Sequence, residues 1–196
     1  MRVFVAGASG VIGVRLVPLL VAAGHEVAAM TRTPSKLERL RNLGAEAVLC
    51  DVYDAGALRR AVVAFQPEVV VNELTDLPDE QAATNEANAR MRREGMRNLL
   101  AAAGGAHAAR FLAQSVAWQL SGDGGAAVAE LERLTLSAGG VVLRYGRLYG
   151  PGTYYEHEQP EPPRIQVDRA ARRTVPALDA PSGIIEVTDA AHLPHA

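Results

Sequence analysis

Short apolar runs alternate with longer amphipathic segments along most of this chain of 196 residues. The apolar runs have the composition of strands that are buried on both faces of a parallel sheet. Strands are predicted at residues 2–6, 26–30, 45–49, 68–72, 110–115, 141–144 and 184–187. The amphipathic segments predict helices at residues 11–23, 36–43, 55–65, 84–103 and 125–137, with a bend at Pro18. This alternation is typical of an α/β fold with a doubly wound parallel sheet.

The first apolar run ends in three glycines and is followed by a helical pattern. A strand, a tight turn and a helix N-terminus in this order form a pyrophosphate site, because the free N–H groups of the first helical turn face the anion. Gly7 would permit the sharp turn, Gly10 the approach of the phosphates, and Gly13 close packing of the helix on the strand. The alternative is an ordinary glycine-rich turn. The predicted cofactor contacts of this motif are Gly7, Ser9, Gly10, Val11, Ile12 and Gly13.

The residues after the second predicted strand indicate which dinucleotide binds. Thr31 is neutral, whereas Arg32 and Lys36 supply positive charge. A 2′-phosphate needs cationic donors and no carboxylate nearby, so the pattern favours NADP(H) over NAD(H). The alternative is that both charges are merely solvated at a helix start. Asp51, just past the third strand, would bind the adenine amino group or cap a helix.

The charge, the cysteine count and the hydropathy of the chain limit the kinds of molecule that it is expected to bind. A formal net charge of −2 provides no basic surface for nucleic acid. Cys50 is the only cysteine, which excludes an internal disulfide and argues against a structural zinc site. The apolar stretch at residues 16–23 is too short to span a bilayer. We therefore predict a single cytoplasmic domain over residues 1–196 that binds a small molecule but no metal, nucleic acid or membrane.

These motifs resemble those of the extended or atypical short-chain dehydrogenases/reductases, the family that includes nucleotide-sugar epimerases and dehydratases. The resemblance covers nearly all of the chain, at residues 7–13, 50–52, 67–72, 98–103, 110–115, 144–152 and 167–178. It implies a Rossmann-type fold and an active-site serine, Ser115, at the end of its strand. It also implies further cofactor contacts at Val52, Asn72, Leu74, Gly146, Arg147 and Leu148.

The chain departs from this family at the catalytic pair. In the family a tyrosine and a lysine stand four residues apart on the helix after the serine strand, and the lysine lowers the pKa of the tyrosine. When Glu132 is aligned with the family's glutamate on that helix, Gly124 and Val128 occupy these two positions. Neither can transfer a proton, and no lysine follows Lys36. We therefore expect very low activity with simple alcohols or sugar nucleotides.

Other side chains remain candidates for catalysis. Ser115 would orient a substrate carbonyl by hydrogen bonding, or would only end its strand. Tyr145 and Tyr149 would supply a phenol, although an unperturbed pKa of about 10 makes them weak bases at neutral pH. Glu73 and Asp76 would act as acid or base, or would be surface carboxylates in ion pairs.

The chain also departs from the family after Pro151. Extended members close a sizeable C-terminal part over the substrate, whereas residues 150–196 contain a loop rich in proline and glutamate and one late helix. We expect the loop at residues 151–164 to be mobile and the substrate side to be open or completed by another subunit. A homodimer is predicted through helices 84–103 and 125–137. Its apolar face would contain Met91, Met96, Leu99, Leu100, Val128, Leu131 and Leu134, which would otherwise cover the sheet of a monomer.

Three functions are compatible with these residues. The first is an atypical NADPH-dependent reductase of a small carbonyl compound, assisted by Ser115 or a tyrosine. The second is a non-redox enzyme that uses the same pocket for cyclisation, dehydration or isomerisation. The third is a sensor or scaffold that binds a nicotinamide nucleotide without catalysis. The completeness of the nicotinamide-side loop ranks the reductase first.

Overall fold

A computed structural model of the protein describes residues 1–76 and 86–189. Within these ranges seven parallel strands form one sheet in the order β3-β2-β1-β4-β5-β6-β9, and β7 pairs with β8 separately. The strands are β1 (Arg2–Ala6), β2 (Glu26–Thr31), β3 (Glu46–Leu49), β4 (Val69–Asn72), β5 (Arg110–Val116), β6 (Val141–Tyr145), β7 (Arg147–Tyr149), β8 (Arg164–Gln166) and β9 (Gly183–Val187). The predicted α/β fold with a doubly wound parallel sheet is confirmed.

Seven α-helices lie within the described ranges. They are α1 (Gly13–Ala22), α2 (Leu37–Asn42), α3 (Ala55–Phe65), α4 (Glu86–Arg90), α5 (Met96–Gly105), α6 (Gly122–Ser137) and α7 (Val167–Thr174). A π-helical segment, Met91–Gly95, joins α4 to α5, so the helix predicted at residues 84–103 is one continuous element from Glu86 onward. The first two residues of that prediction, Thr84 and Asn85, lie outside the described residues. Helix α1 continues through Pro18 without a break.

Alternating side chains of the strands build a separate core on each face of the sheet. Val3 and Val5 of β1 pack on the face covered by α1 and α7, whereas Phe4 and Ala6 pack on the face covered by α3 and α5. The alternation follows from the two-residue period of a strand. Because both faces are covered, the strands read as continuous apolar runs in the sequence.

Most of the apolar residues predicted to form a dimer face are buried within the chain. Met91, Met96, Leu99 and Leu131 lie in the core between the sheet and its helices. These four residues therefore cover the sheet of their own chain, which was the alternative interpretation of the pattern. The apolar face is not available in the form that the sequence predicted.

The segment at residues 151–164 is exposed over most of its length but is anchored to the fold. The amide of Gly150 donates to the carbonyl oxygen of Tyr155 at 2.9 Å, and Arg147 donates to the carbonyl oxygens of Glu161 and Pro162. The segment leads into β8, which pairs with β7. The sequence did not predict these two strands, because three residues each are too few for a pattern of alternation.

From β1 the chain builds the sheet outward to β3, and it then returns to place β4 on the other side of β1. The direction in which strands are added therefore reverses between β1 and β4. The chain after β4 stays close to the chain after β1, since the amide of Glu73 donates to the carbonyl oxygen of Ala6 at 2.8 Å. A crevice at the carboxyl ends of the strands is expected at such a reversal. No helix within residues 1–76 and 86–189 is long and apolar enough to cross a membrane.

Candidate functional site

A cleft of about 990 Å³ lies along the carboxyl ends of the sheet strands. Its walls come from the turns after β1 to β6, from the π-helical segment and from residues 152–156. Sixteen of the residues that the sequence nominated line it: Gly7, Ser9, Gly10, Val11, Ile12, Thr31, Arg32, Lys36, Asp51, Val52, Leu74, Ser115, Tyr145, Gly146, Arg147 and Leu148. Glu73, a candidate acid or base, also lines the cleft, whereas Gly13, Asn72, Asp76 and Tyr149 do not.

The glycine-rich turn after β1 has the shape required to hold a pyrophosphate. Gly7 has a φ of +83°, and a Cβ there would lie 2.4 Å from the carbonyl oxygen of Glu73. Gly10 lines the cleft at the start of α1, where the first helical N–H groups have no partner within the helix. A hydrogen bond of 2.9 Å between the hydroxyl groups of Ser9 and Thr31 ties this turn to the end of β2. The turn therefore fits the phosphates of a dinucleotide.

Gly13, which we predicted as a cofactor contact, packs closely against the turn and does not line the cleft. A Cβ at Gly13 would lie 2.5 Å from the carbonyl oxygen of Gly7 and 2.6 Å from the Cα of Ala8. Only a glycine allows α1 to begin so close to the turn. The close packing that the sequence suggested for Gly13 is thus present, although the residue is buried beneath the turn rather than exposed in the cleft.

At the predicted adenosine end, Arg32 forms an ion pair that the sequence did not reveal. Its guanidinium group lies 2.9 Å from a carboxylate oxygen of Asp76, which comes after β4. The prediction of NADP(H) required that no carboxylate lie near the 2′-phosphate, and Asp76 does not meet this requirement. Lys36, the second predicted cation, is exposed at the same wall of the cleft. Asp51 accepts a hydrogen bond of 3.0 Å from the amide of Tyr53, and it is Asp54 that caps α3.

Asn72, a predicted cofactor contact, shapes the turn after β4 and is not among the residues that line the cleft. Its side-chain oxygen accepts a hydrogen bond of 3.1 Å from the amide of Leu74, and its amide group lies 3.5 Å from the sulfur of Met96. Leu74, held in this way, does line the cleft.

Ser115 lines the cleft, but its hydroxyl group is bonded within the protein. It donates a hydrogen bond of 2.6 Å to Glu132 of α6, and Arg144 of β6 donates two more to the same carboxylate at 2.9 and 2.6 Å. Burial alone would raise the pKa of Glu132, yet the hydrogen bonds from Arg144 and Ser115 hold it below its ordinary value. Ser115 keeps its lone pairs free to accept a hydrogen bond, whereas its proton is committed to Glu132.

Tyr145 is buried, and its hydroxyl group contacts Glu73 at 3.0 Å and Thr174 at 2.6 Å. Burial raises the pKa of Tyr145 well above its ordinary value. This environment contradicts the predicted role of Tyr145 as a phenol that exchanges a proton with substrate. Glu73 is only 4% exposed, so the alternative of a surface carboxylate in an ion pair is also wrong for Glu73, although it is right for Asp76.

Tyr149, which the sequence predicted to act in catalysis, lies outside the residues that line the cleft. Its hydroxyl group donates a hydrogen bond of 2.8 Å to Asp189, and the other oxygen of that carboxylate pairs with Arg169 of α7 at 2.8 Å. Tyr149 thus joins β7 to the chain after β9 and to α7.

The structure adds cleft residues that the sequence reasoning missed. Arg92 of the π-helical segment, Tyr154 and Tyr155 all line the cleft. Burial lowers the pKa of the Arg92 guanidinium. The helical pattern of residues 84–103 did not indicate which side chains face the cleft, since a π-helical insertion rotates the residues that follow it.

The two positions assigned to the missing catalytic pair lie at the start of α6. Gly124 is in its first turn and Val128 is one turn further on, and neither is among the residues that line the cleft. Within residues 1–76 and 86–189, no three His, Cys, Asp or Glu side chains are close enough together to hold a metal ion.

Comparison with known sequences identifies a family and a similar reductase. Residues 7–129 match the NAD(P)H-binding family. A 3-diazoavenalumate denitrifying reductase from a Streptomyces species is 40% identical over 185 residues, an alignment that covers 81% of this chain. This chain spans 60% of the length of that relative.

Comparison with solved structures identifies nucleotide-sugar epimerases. The UDP-glucose 4-epimerase of Thermus thermophilus, solved in complex with NAD, superposes with a TM-score of 0.79 at 20% identity, covering 96% of this chain and 78% of the epimerase. The UDP-Glc/GlcNAc 4-epimerase of Campylobacter jejuni has a TM-score of 0.81 at 13% identity, covering 95% and 78%. These similarities confirm the predicted Rossmann-type fold and the resemblance to epimerase-like proteins.

Proposed function

Because this chain belongs to the NAD(P)H-binding family, we propose that it is an NADPH-dependent reductase of a small, electron-poor aromatic compound. The observation that carries the proposal is a cleft that fits a dinucleotide but whose nominated proton donors are engaged elsewhere. Ser115 donates to Glu132, and Tyr145 is buried against Glu73 and Thr174. A substrate that accepts hydride without a proton from these groups suits such a cleft.

The name of the Streptomyces relative indicates a class of such substrates, since it describes a denitrifying reductase of a diazo acid. Replacing an aryl diazonium group by hydrogen consumes one hydride, breaks the carbon–nitrogen bond, forms a carbon–hydrogen bond and releases dinitrogen. A bound NADPH would supply the hydride. No proton is needed at the reacting carbon, whereas reduction of a carbonyl group requires a proton on oxygen. We therefore place aromatic diazo acids before the small carbonyl compounds that the sequence suggested.

The preference for NADP(H) over NAD(H) is part of this proposal. Arg32 and Lys36 supply positive charge at the wall of the cleft where the adenosine ribose would lie. Asp76 already pairs with Arg32, and both side chains are partly exposed, at 27% and 51%. An exposed ion pair contributes little free energy, so Arg32 can exchange Asp76 for a 2′-phosphate that Lys36 also attracts.

Ser115 is proposed to position a substrate that carries a hydroxyl or amino donor, by accepting a hydrogen bond from that group. Its proton is donated to Glu132, so the hydroxyl oxygen offers lone pairs and no acid. The variant Ser115→Ala should raise KM about three- to tenfold while changing kcat by less than about threefold. A loss of kcat at unchanged KM would instead make Ser115 part of the chemical step.

The reductase is tested with para-carboxybenzenediazonium and NADPH carrying deuterium at the transferable position. We expect NADPH oxidation that requires the protein, release of dinitrogen, and benzoate with deuterium at the carbon that carried the diazo group. A reaction without protein is the control, because diazonium ions are reactive on their own. Benzoate without deuterium would contradict hydride transfer.

The same assay separates the alternatives. Reduction of para-carboxybenzaldehyde, but not of the diazonium compound, would support the carbonyl reductase that the sequence suggested. Tight NADPH binding without oxidation by either substrate would support the sensor or scaffold. Conversion of a substrate without net change in NADPH would support the non-redox enzyme.

A further inference from the structure

Arg92 has an environment unlike that of the other arginines in the described parts of the chain. It is partly buried in the wall of the cleft, on the π-helical segment Met91–Gly95. Within residues 1–76 and 86–189, its guanidinium group has no hydrogen bond, ion pair or aromatic partner. The other arginines of these ranges either have such a partner or are exposed to solvent. A partly desolvated cation without a partner costs free energy unless an anion binds there.

Two arginines near Arg92 in the sequence have partners within the protein. The next residue, Arg93, lies 2.5 Å from Asp123 of α6, and Arg90, one turn before Arg93, is stacked on the ring of Tyr53 at 4.1 Å. Arg92 lies between these two residues in the sequence, and its own side chain lines the cleft. Single turns of π-helix occur frequently at functional sites, where they aim a side chain that a regular helix would turn away.

Aromatic side chains line the same cleft. Trp118, which follows β5, is stacked against the guanidinium group of Arg147 at 5.1 Å. Tyr154 and Tyr155 pack edge to face at 4.9 Å, and Tyr154 is 66% exposed. Exposed aromatic faces bind planar rings, and an arginine binds a carboxylate through two parallel hydrogen bonds.

We propose that Arg92 binds the carboxylate of an aromatic acid whose ring lies among Trp118, Tyr154 and Tyr155. This deepens the proposed function, on which it rests, by naming the residues that recognise the carboxylate and the ring of the substrate. The pyrophosphate of a dinucleotide does not require Arg92, because the glycine-rich turn and the N-terminus of α1 already provide its donors.

The test measures binding and not turnover. trans-Cinnamate and its uncharged analogue cinnamamide are titrated calorimetrically into the protein saturated with NADP⁺. We expect the wild-type protein to bind cinnamate about ten- to a hundredfold more tightly than cinnamamide. In Arg92→Gln the two ligands should bind about equally. Arg97→Gln is the matched control, because Arg97 lies on α5, is exposed and pairs with Glu130 outside the cleft.

The variant Arg92→Lys and a titration with NADP⁺ alone separate loss of carboxylate binding from loss of stability or of cofactor binding. Arg92→Lys keeps the charge but not the two parallel hydrogen bonds, so it should retain part of the preference for cinnamate. If Arg92→Gln lowers the midpoint of thermal unfolding, Arg92→Lys is the variant that is compared with the wild-type protein instead. Titration of NADP⁺ alone shows whether Arg92 binds the cofactor instead, in which case Arg92→Gln would weaken NADP⁺ and leave the cinnamate preference unchanged.

Three outcomes would overturn the proposal: no binding of cinnamate by the wild-type protein, an unchanged preference in Arg92→Gln, or an equal loss in Arg97→Gln. Failure of the proposed function has a different signature. The protein would then oxidise NADPH with neither diazonium nor carbonyl substrate, while cinnamate binding still depended on Arg92.

Discussion

The hydroxyl group of Tyr145, at the end of β6, lies 3.0 Å from Oε1 of Glu73, which follows β4. The other oxygen of the Glu73 carboxyl group is buried and has no hydrogen-bond partner among the described residues. Burial raises the pKa of Glu73 to about 8. Tyr145 donates a hydrogen bond to Glu73, its hydroxyl oxygen also lies 2.6 Å from that of Thr174, and Thr174 donates to the carbonyl oxygen of Ala170 at 3.0 Å.

We predict that the stability of the protein falls between pH 6 and pH 9 because Glu73 must ionise. The pKa of Glu73 is raised above its unfolded value of 4.5, so the native state holds a proton that the unfolded state has released. The stability contributed by this proton is fully present below the unfolded pKa and is lost as pH rises through about 8. The loss over this window is about 2–3 kcal/mol.

Urea unfolding of the wild-type protein and of Glu73→Gln at pH 6 and at pH 9 measures this loss of stability. The variant keeps the shape of the side chain without the ionisation, so its stability should change less over the same range. Equal slopes for the two proteins would show that Glu73 is already ionised in the native state.

The turn at Gly13 should not tolerate a side chain. In Gly13→Ala the new Cβ would meet the carbonyl oxygen of Gly7 at 2.5 Å, which forces the glycine-rich turn to shift. We expect a loss of about 1–3 kcal/mol in unfolding free energy and a drop of about tenfold or more in dinucleotide affinity.

The control for this substitution is Gly104→Ala. A Cβ at Gly104 meets no atom within 4 Å, and the residue lies in α5, so alanine should raise the unfolding free energy by up to about 1 kcal/mol. Unchanged dinucleotide affinity in Gly13→Ala would contradict the close packing described for this turn.

The cofactor preference should depend on Arg32 and Asp76 in opposite directions. Arg32→Ala removes a donor to the 2′-phosphate and should lower the ratio of NADP⁺ to NAD⁺ affinity by about tenfold. Asp76→Asn frees Arg32 from its carboxylate partner and should raise the same ratio about three- to tenfold.

Calorimetric titration with both cofactors measures the ratio, and Arg41→Ala is the control because Arg41 is exposed and outside the cleft. Weaker NAD⁺ binding in Asp76→Asn together with an unchanged ratio in Arg32→Ala would assign Asp76 to the ribose hydroxyl groups and make NAD(H) the preferred cofactor.

The homodimer also stays a prediction, with an interface that must differ from the one first suggested. Met91, Met96, Leu99 and Leu131 are buried in the core, so the two helices would have to associate through residues that are only partly buried, such as Leu134. Light scattering at micromolar concentration should give twice the chain mass of 20.8 kDa. A mass equal to that of one chain would contradict the prediction.

The sequence by itself determined the order along the chain of the helices and of the seven strands of the main sheet, and the position of the glycine-rich turn. The predicted strand at residues 2–6 and the helix at residues 55–65 agree with β1 and α3 at both ends. These features are local, because a period of two or of 3.6 residues and the backbone freedom of glycine are readable within a short window.

Only the tertiary structure decided which side chains meet. The pairs Arg32 with Asp76 and Tyr145 with Glu73 join residues that are 44 and 72 positions apart, and they changed the interpretation of the adenosine end and of the candidate phenol. Whether Arg92 faces solvent or the cleft depends on a π-helical turn and on its packing against α6. The burial of a side chain and its pairing with a charge depend on residues that are distant in the sequence, so no local pattern could have determined them.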